Sequence, residues 1–201
     1  MANKNFIVKN GITLQGNGRG IYVTPSGDAL FCADDSQNRV YKYSFGTAFD
    51  VTTLSYVTNY NIGNSSVRAP MFTNNGANFY NSVTTGSPDY IWYDLNIPTA
   101  YTPPSSGYSQ QNFGGDNNNN YAGIIFQPDG LNCYVVDETA TNTRVLRRFV
   151  LSTPWDISSY TNPSDSLLAL DAPLSFDISS DGKYIFYQRE NTIYRLALGP
   201  L

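Results

Sequence analysis

The sequence predicts an all-β protein, a four-bladed β-propeller closed by an N-terminal strand. A short apolar segment, a Gly-containing turn, a second apolar segment and an aromatic-rich third segment follow one another four times. The turn glycines lie at 27, 76, 130 and 182, which are steps of 49, 54 and 52 residues. Short strands repeated about every 50 residues are typical of propellers, with one sheet per repeat. Aromatic residues, which pack well on pleated sheets, make up 14% of the chain.

The first and third repeats agree most closely. Each has an apolar strand, a turn, a second strand that ends in Asp34 or Asp137, a polar loop and a third strand, at residues 40–43 or 145–149. The predicted repeats span residues 15–62, 63–113, 114–164 and 165–201, after an N-terminal arm or closing strand at 1–14. The predicted turns are Pro25-Ser26-Gly27, Asn74-Asn75-Gly76, Pro128-Asp129-Gly130 and Ser180-Asp181-Gly182.

A second landmark follows the third strand. Phe49-Asp50-Val51 matches Trp155-Asp156-Ile157, and each is followed by Thr or Ser. The second repeat has Ala100-Tyr101-Thr102 in place of the aromatic-Asp-aliphatic triplet, and the fourth repeat ends before this point. We therefore expect the four sheets to share a frame but to differ in their loops.

The two ends of the chain predict how the ring closes. A fourth strand is expected to start at residue 54 in the first repeat, but the fourth repeat reaches residue 201 without one. Residues 5–14 have the character of a strand and are predicted to supply this missing outer strand, which would remove an exposed edge. The alternative is an arm that anchors the protein to a partner, with contact residues Lys4, Phe6 and Ile7.

The connectors that precede each repeat are rich in Gly and Asn, residues that tolerate left-handed backbone. They recur at one phase of the repeat, so they are expected to lie on one face of the ring. That face would bind a sugar or a partner protein, and the alternative is ordinary solvent-exposed loops. The predicted contact residues are Asn17, Arg19, Asn64, Asp116, Asn118 and Tyr121.

Most catalytic chemistry is excluded by composition. The chain has no histidine, so it has no Ser-His-Asp triad, no Cys-His pair and no His-based metal site. Paired carboxylates would suit glycoside hydrolysis, but their matching places in the repeat favour a role as hydrogen-bonded loop caps. We predict no catalytic residue, no metal and no cofactor. The carboxylates considered are Asp34, Asp35, Asp137, Glu138 and Asp181.

Charge and cysteine content further restrict the classes of partner and of chemistry expected for this protein. The formal net charge is −4 and only 14% of the residues are charged, so no nucleic-acid partner is expected. The chain contains no apolar stretch long enough for a membrane span and no apolar segment of a secretory signal. Cys32 and Cys133 fall in non-adjacent repeats and are predicted to be buried, unpaired thiols.

Three segments resemble parts of a known group of proteins. Residues 2–12, Ala-Asn-Lys-Asn-Phe-Ile-Val-Lys-Asn-Gly-Ile, resemble the N-terminal leader of structural proteins and tail fibres of marine tailed phages, cyanophages among them. Residues 40–51 and 149–158 resemble a propeller-like repeat of the same virion proteins. The resemblance implies a non-enzymatic virion component exposed at the particle surface, and it implies no catalytic residues.

The expected function is therefore that of a bacteriophage virion structural protein, a surface module of a tail fibre or attachment apparatus. A capsid decoration protein and a lectin-like carbohydrate-binding propeller are the alternatives, with a minimal glycosidase behind them. Expected partners are other capsid or tail proteins, present in multiple copies, or a host surface glycan. The expected location is the particle surface, after synthesis in the host cytoplasm without a signal peptide.

Overall fold

The structure is a computed structural model that describes residues 18–34, 36–63, 66–84, 90–111, 120–138, 144–170, 175–178, 183–189 and 192–198. Throughout these ranges the regular elements are β-strands, together with three-residue 3-10 turns at Val51–Thr53, Asn74–Gly76 and Ile157–Ser159. The prediction of an all-β protein with antiparallel sheets is confirmed.

The strands form four sheets, numbered here in chain order. Sheet 1 contains β1 (Gly18–Val23), β2 (Ala29–Asp34), β3 (Arg39–Phe45) and β4 (Leu54–Asn61). Sheet 2 contains β5 (Ser66–Thr73), β6 (Asn78–Thr84), β7 (Tyr90–Asp94) and β8 (Ser109–Gln111). Sheet 3 contains β9 (Asn120–Phe126), β10 (Asn132–Glu138), β11 (Arg144–Leu151) and β12 (Tyr160–Leu170). Sheet 4 contains β13 (Ser175–Ile178), β14 (Tyr184–Arg189) and β15 (Thr192–Ala197).

Each sheet is an antiparallel meander in which every strand pairs with the next strand along the chain. The first strands of successive sheets contact each other, β1 with β5, β5 with β9 and β9 with β13. β12 continues to Leu170, beyond the predicted end of the third repeat at residue 164. Among the described residues sheet 4 has three strands rather than four, and the segment predicted to complete it, residues 5–14, lies outside them.

One backbone hydrogen bond recurs in all four sheets. It joins the residue after the turn glycine to the end of the third strand, or to the residues just after it, and so closes the same corner of each sheet. The donor is the N–H of Phe45, Ile97, Leu151 or Leu198. The matching acceptors are the carbonyls of Asp28 at 2.9 Å, Ala77 at 2.7 Å, Leu131 at 2.8 Å and Lys183 at 2.8 Å. The fourfold repeat read from the sequence is therefore present as a backbone repeat.

The sheets pack face to face through apolar cores. Every residue of β2 is buried, because both faces of sheet 1 are covered at this strand. Its residues alternate between two clusters: Ala29, Phe31 and Ala33 face the core shared with sheet 2, whereas Leu30 and Cys32 point to the opposite side. The shared core is aromatic, with the Phe72 ring 4.7 Å from Phe31 and 5.1 Å from Phe79 between centroids.

The next two cores repeat this arrangement. Tyr80 and Ile91 of sheet 2 pack with Phe126, Val135 and other residues of sheet 3. On the far side of sheet 3, a smaller cluster brings Ile185 of sheet 4 and the following Leu198 into contact with sheet 3. In the described residues, sheets 2 and 3 thus each contribute one face to the preceding core and the other to the next.

A fourth apolar cluster lies on the face of sheet 1 that points away from sheet 2. Its buried members are Leu30, Cys32, Tyr41 and Tyr43, all at most 5% exposed. In the described part of the chain, only sheet 1 and residues next to it contribute to this cluster.

Candidate functional site

Most of the predicted contact residues fall outside the described ranges. This applies to Asn17, Asn64, Asp116 and Asn118 of the connectors. The predicted arm residues Lys4, Phe6 and Ile7 also lie outside them.

Arg19 and Tyr121 are described for their backbone only. Arg19 lies near the start of β1 and Tyr121 near the start of β9. Both sit at irregular points of strand pairing, Arg19 between the pairs Gly18–Asp34 and Gly20–Ala33, and Tyr121 beside the shift at Asp137. The bulge lies at the same place in both sheets, because Gly18 pairs with Asp34 as Tyr121 pairs with Asp137, so Arg19 corresponds to Ala122 and Tyr121 to Gly18.

The opposite end of the sheets carries a repeated turn in which an aromatic ring covers a glycine. The rings of Phe49, Tyr101 and Trp155 lie against Gly27, Gly76 and Gly130. The backbone N–H of each aromatic residue donates to the backbone carbonyl of its glycine, at 3.1, 3.0 and 2.8 Å. An added Cβ at these glycines would lie 2.5 to 2.7 Å from ring atoms. Only glycine leaves room for the ring.

The aromatic residues themselves have left-handed backbone. Phe49, Tyr101 and Trp155 have φ values of 61°, 57° and 59°, which are outliers for bulky side chains. Tyr101 is thus the structural counterpart of Phe49, and the sequence alignment that placed Ala100 there is wrong by one residue. The second repeat keeps the aromatic residue four positions after the corner residue, with Tyr101 after Ile97 as Phe49 follows Phe45, and it has Thr102 where the first repeat has Asp50.

The residue after the aromatic closes a short turn in sheets 1 and 3. The Asp50 carboxylate accepts from the N–H and hydroxyl of Thr52 at 3.0 and 2.7 Å, and Asp156 accepts from Ser158 at 2.9 and 2.6 Å. These bonds satisfy backbone donors at the start of the 3-10 turns. Thr102 stands at this position in sheet 2, so this cap is particular to the other two.

Asp34 acts as a loop cap, as predicted for it. It is fully buried, and its Oδ1 accepts from the Ser36 N–H at 2.9 Å, the Ser36 hydroxyl at 2.7 Å and the Gln37 N–H at 3.3 Å. Asp137 and Glu138 are described for backbone only, and Asp35 and Asp181 lie outside the described residues.

The two cysteines are buried and unpaired, as predicted. Burial raises the pKa of the Cys133 thiol, and burial followed by the nearby Asp34 charge raises the pKa of Cys32. A thiol whose pKa is raised is a poor nucleophile near neutral pH. Neither cysteine is placed for catalysis.

Within the described ranges, no group of three or more Cys, Asp or Glu side chains could hold a metal ion. The helical segments there are too short to cross a membrane.

No protein-family model matches the chain, and no curated protein matches it. Solved structures do resemble it in fold. The β-propeller domain of Cps50 (Swd1) from Myceliophteria thermophila has a TM-score of 0.59 at 10% identity, over 96% of this chain and 55% of that one.

Two further structures are similar over most of the chain. A functionally unknown protein from Desulfotomaculum acetoxidans DSM 771 has a TM-score of 0.56 at 15% identity, over 94% of this chain and 68% of that one. Kuenenia stuttgartiensis hydrazine synthase has a TM-score of 0.54 at 16% identity, over 85% of this chain and 49% of that one. The chain therefore spans about half the length of two of these three proteins, and the likeness is one of fold alone.

Proposed function

We propose that the four sheets are the blades of a four-bladed β-propeller closed by residues 5–14, and that the protein is a non-enzymatic virion structural protein of a tailed phage. In this proposal the propeller is a surface module of the tail fibre or attachment apparatus. Its connector face contacts a partner protein or a host glycan.

Ring closure is supported by the fourth apolar cluster. Tyr41 and Tyr43 on this face are 3% and 4% exposed, whereas Ile21, opposite Cys32 on the same face, is 62% exposed, so closure of the ring by sheet 4 would bury Ile21 as well. Burial of an apolar side chain of this size stabilises a fold by about 1.5–3 kcal/mol, so a sheet face of this kind is rarely left open. Packing of sheet 4 against this face would complete a ring of four cores.

The proposal that the protein is not an enzyme rests on the hydrogen bonds made by five of the described carboxylates. Each of five Asp side chains at the sheet ends accepts hydrogen bonds within its own loop, which fixes the loop and engages the carboxylate. These residues are Asp28, Asp34, Asp50, Asp129 and Asp156. Glycoside hydrolysis instead needs two carboxyl groups that face each other across a sugar.

The virion part is supported by the resemblance of residues 2–12 to a phage leader and by the repeat at residues 40–51 and 149–158. A sparsely charged surface, with 14% charged residues against about 25% in typical soluble domains, fits a particle-bound protein.

Purified virions test this assignment directly. We expect mass spectrometry of washed, density-purified particles to detect the chain at a fixed copy number, and labelled antibody fragments to locate it on the tail or attachment apparatus by electron microscopy. Labelling of the capsid would instead favour the decoration protein. Absence of the chain from purified particles would refute a virion role.

Glycan binding needs a separate test, because a virion module need not bind sugar. The isolated protein is applied to a glycan array, with an Asn64→Ala, Asn118→Ala double variant as the control for the connector face. Binding that the double variant loses would support a glycan contact at the predicted loops. Binding that it retains would place the contact elsewhere.

A further inference from the structure

A buried amide in the core between sheets 1 and 2 has no protein partner. Asn81 in β6 is fully buried, and neither its Oδ1 nor its Nδ2 hydrogen-bonds to a protein group. The indole Nε1 of Trp92 in β7 is also buried and without a protein partner. Asn81 and Trp92 are directly opposite each other in the strand register, so their side chains lie on the same face with Cβ atoms about 5 Å apart.

The residues around Asn81 and Trp92 offer few hydrogen-bond partners to these two side chains. The other cross-strand neighbour of Asn81 is Pro70 of β5, which has no N–H. Phe79, two residues before Asn81 on the same face, belongs to the aromatic core with sheet 1. Tyr108 stacks on Trp92 at 5.3 Å, but its hydroxyl donates to the Pro104 carbonyl.

The sheet architecture itself does not require an amide at this place. Asn81 lies five residues after its turn glycine, and the equivalent residues are Cys32 in sheet 1 and Val135 in sheet 3. Cys32 pairs with Ile21 of its first strand, and Val135 pairs with Ile124. Cys32 and Val135 are both buried and weakly polar or apolar. The amide of Asn81 is therefore a feature of this sheet alone.

Buried polar groups are almost always hydrogen-bonded, either to protein or to an ordered water. We propose that Asn81 and Trp92 bind a structural water molecule in the seam between sheets 1 and 2. The water accepts from the Trp92 indole N–H and donates to the Asn81 Oδ1. This inference rests on the two side chains and is independent of the virion assignment.

Nuclear magnetic resonance of the full chain tests the site. The two indole Hε1 signals are assigned with the Trp155→Phe variant, which places at residue 155 the aromatic residue that sheet 1 has at Phe49. We expect the Trp92 Hε1 to show a cross-relaxation peak to water with the sign of a long-lived bound molecule. Absence of this peak in the unsubstituted protein would overturn the proposal.

Three variants separate bound water from other sources of the peak. Asn81→Val, which copies Val135, should abolish the peak, whereas Cys32→Val at the equivalent position of sheet 1 should leave it unchanged. Tyr108→Phe removes the hydroxyl of the ring stacked on Trp92 and should also leave the peak in place. A peak that persists in Asn81→Val, or that disappears in Tyr108→Phe, would overturn the proposal, and the Tyr108→Phe result decides even if Asn81→Val does not fold.

Discussion

At the scale of single residues, the turn glycines and their aromatic partners combine two constraints. Each glycine has positive φ, 69°, 83° and 73° at positions 27, 76 and 130, and each lies under a ring that excludes a Cβ. Gly107 has only the first constraint, with φ of 85° and no atom within 4 Å of a built Cβ. The contributions of backbone strain and of ring contact to the free energy of unfolding can therefore be measured separately.

We predict that Gly130→Ala lowers the free energy of unfolding by about 2–5 kcal/mol, the sum of left-handed backbone strain and displacement of the Trp155 ring. Gly107→Ala should cost only the strain, about 1–2 kcal/mol. Urea unfolding followed by circular dichroism gives both values. Equal losses in the two variants would mean that the ring contact contributes nothing.

The raised pKa values of the cysteines make a prediction about reactivity and pH. Because burial favours the neutral thiol, the folded protein keeps Cys32 and Cys133 protonated at a pH where unfolded thiols ionise. The corresponding stability is complete below about pH 8.5, the unfolded pKa, and declines as the pH rises above it.

A thiol-specific disulfide reagent at pH 8 should therefore label neither cysteine within minutes in the native protein. Two equivalents should react at once in denaturant. The Cys32→Ala and Cys133→Ala variants assign each thiol, and rapid labelling of native Cys133 would contradict the burial that raises its pKa.

At the scale of elements, side-chain bonds join neighbouring sheets. The hydroxyl of Tyr80 in β6 donates to the carbonyl of Trp155 in the loop between β11 and β12, so sheet 2 holds the aromatic turn of sheet 3. Burial raises the pKa of Tyr80, so the donor stays protonated at any ordinary pH.

We predict that Tyr80→Phe lowers the free energy of unfolding by about 0.5–1.5 kcal/mol, the net value of one hydrogen bond. Tyr134→Phe, the same substitution at the equivalent position of sheet 3, is the matched control and should cost less. Thermal and urea unfolding measure both. A loss for Tyr80→Phe no greater than that for Tyr134→Phe would show that the inter-sheet bond adds nothing to stability.

The strand and loop elements were largely predictable from the sequence. The turns at 25–27, 74–76 and 128–130 and the third strands β3 and β11 lie where the repeat placed them, because turn glycines and apolar alternation are local signals. The correspondence of Tyr101 with Trp155 and Phe49 was missed although spacing carries it, since Tyr101 and Trp155 each lie 25 residues after their turn glycine.

At the scale of the whole molecule, three described cores join four sheets in sequence, and a fourth apolar cluster lies on the outer face of sheet 1, formed in the described residues by sheet 1 itself. A ring distributes the apolar area so that every sheet face is packed, whereas an open row leaves two faces in water. The N-terminal segment, residues 5–14, is the part of the chain proposed to close the row of sheets into a ring.

Deletion of residues 1–14 should lower the Tm by more than about 10 °C if this segment pairs with sheet 4, because it removes a whole strand and exposes an edge. Deletion of residues 1–4 alone is the control and should leave the Tm unchanged. If both deletions leave it unchanged, the segment is an arm, and ring closure by residues 5–14 is wrong.

The candidate site was predictable only in part. Periodicity placed the connectors at one phase of the repeat, but Asn81 and Trp92 gave no signal in a reading of spacing and motifs. An alignment of the three second strands by their turn glycines would have set Asn81 against Cys32 and Val135. That comparison marks a polar residue at a core position, although it does not reveal Trp92 as its neighbour.

The sequence by itself determined that the chain is all-β, where its turns fall and that the sheets repeat, since these depend on residues a few positions apart. Tertiary structure alone decided which glycine lies under which ring, which faces of β2 are covered and which polar groups are enclosed together. Those outcomes depend on strand register and on packing between sheets, where the contacting residues lie tens of positions apart in the chain.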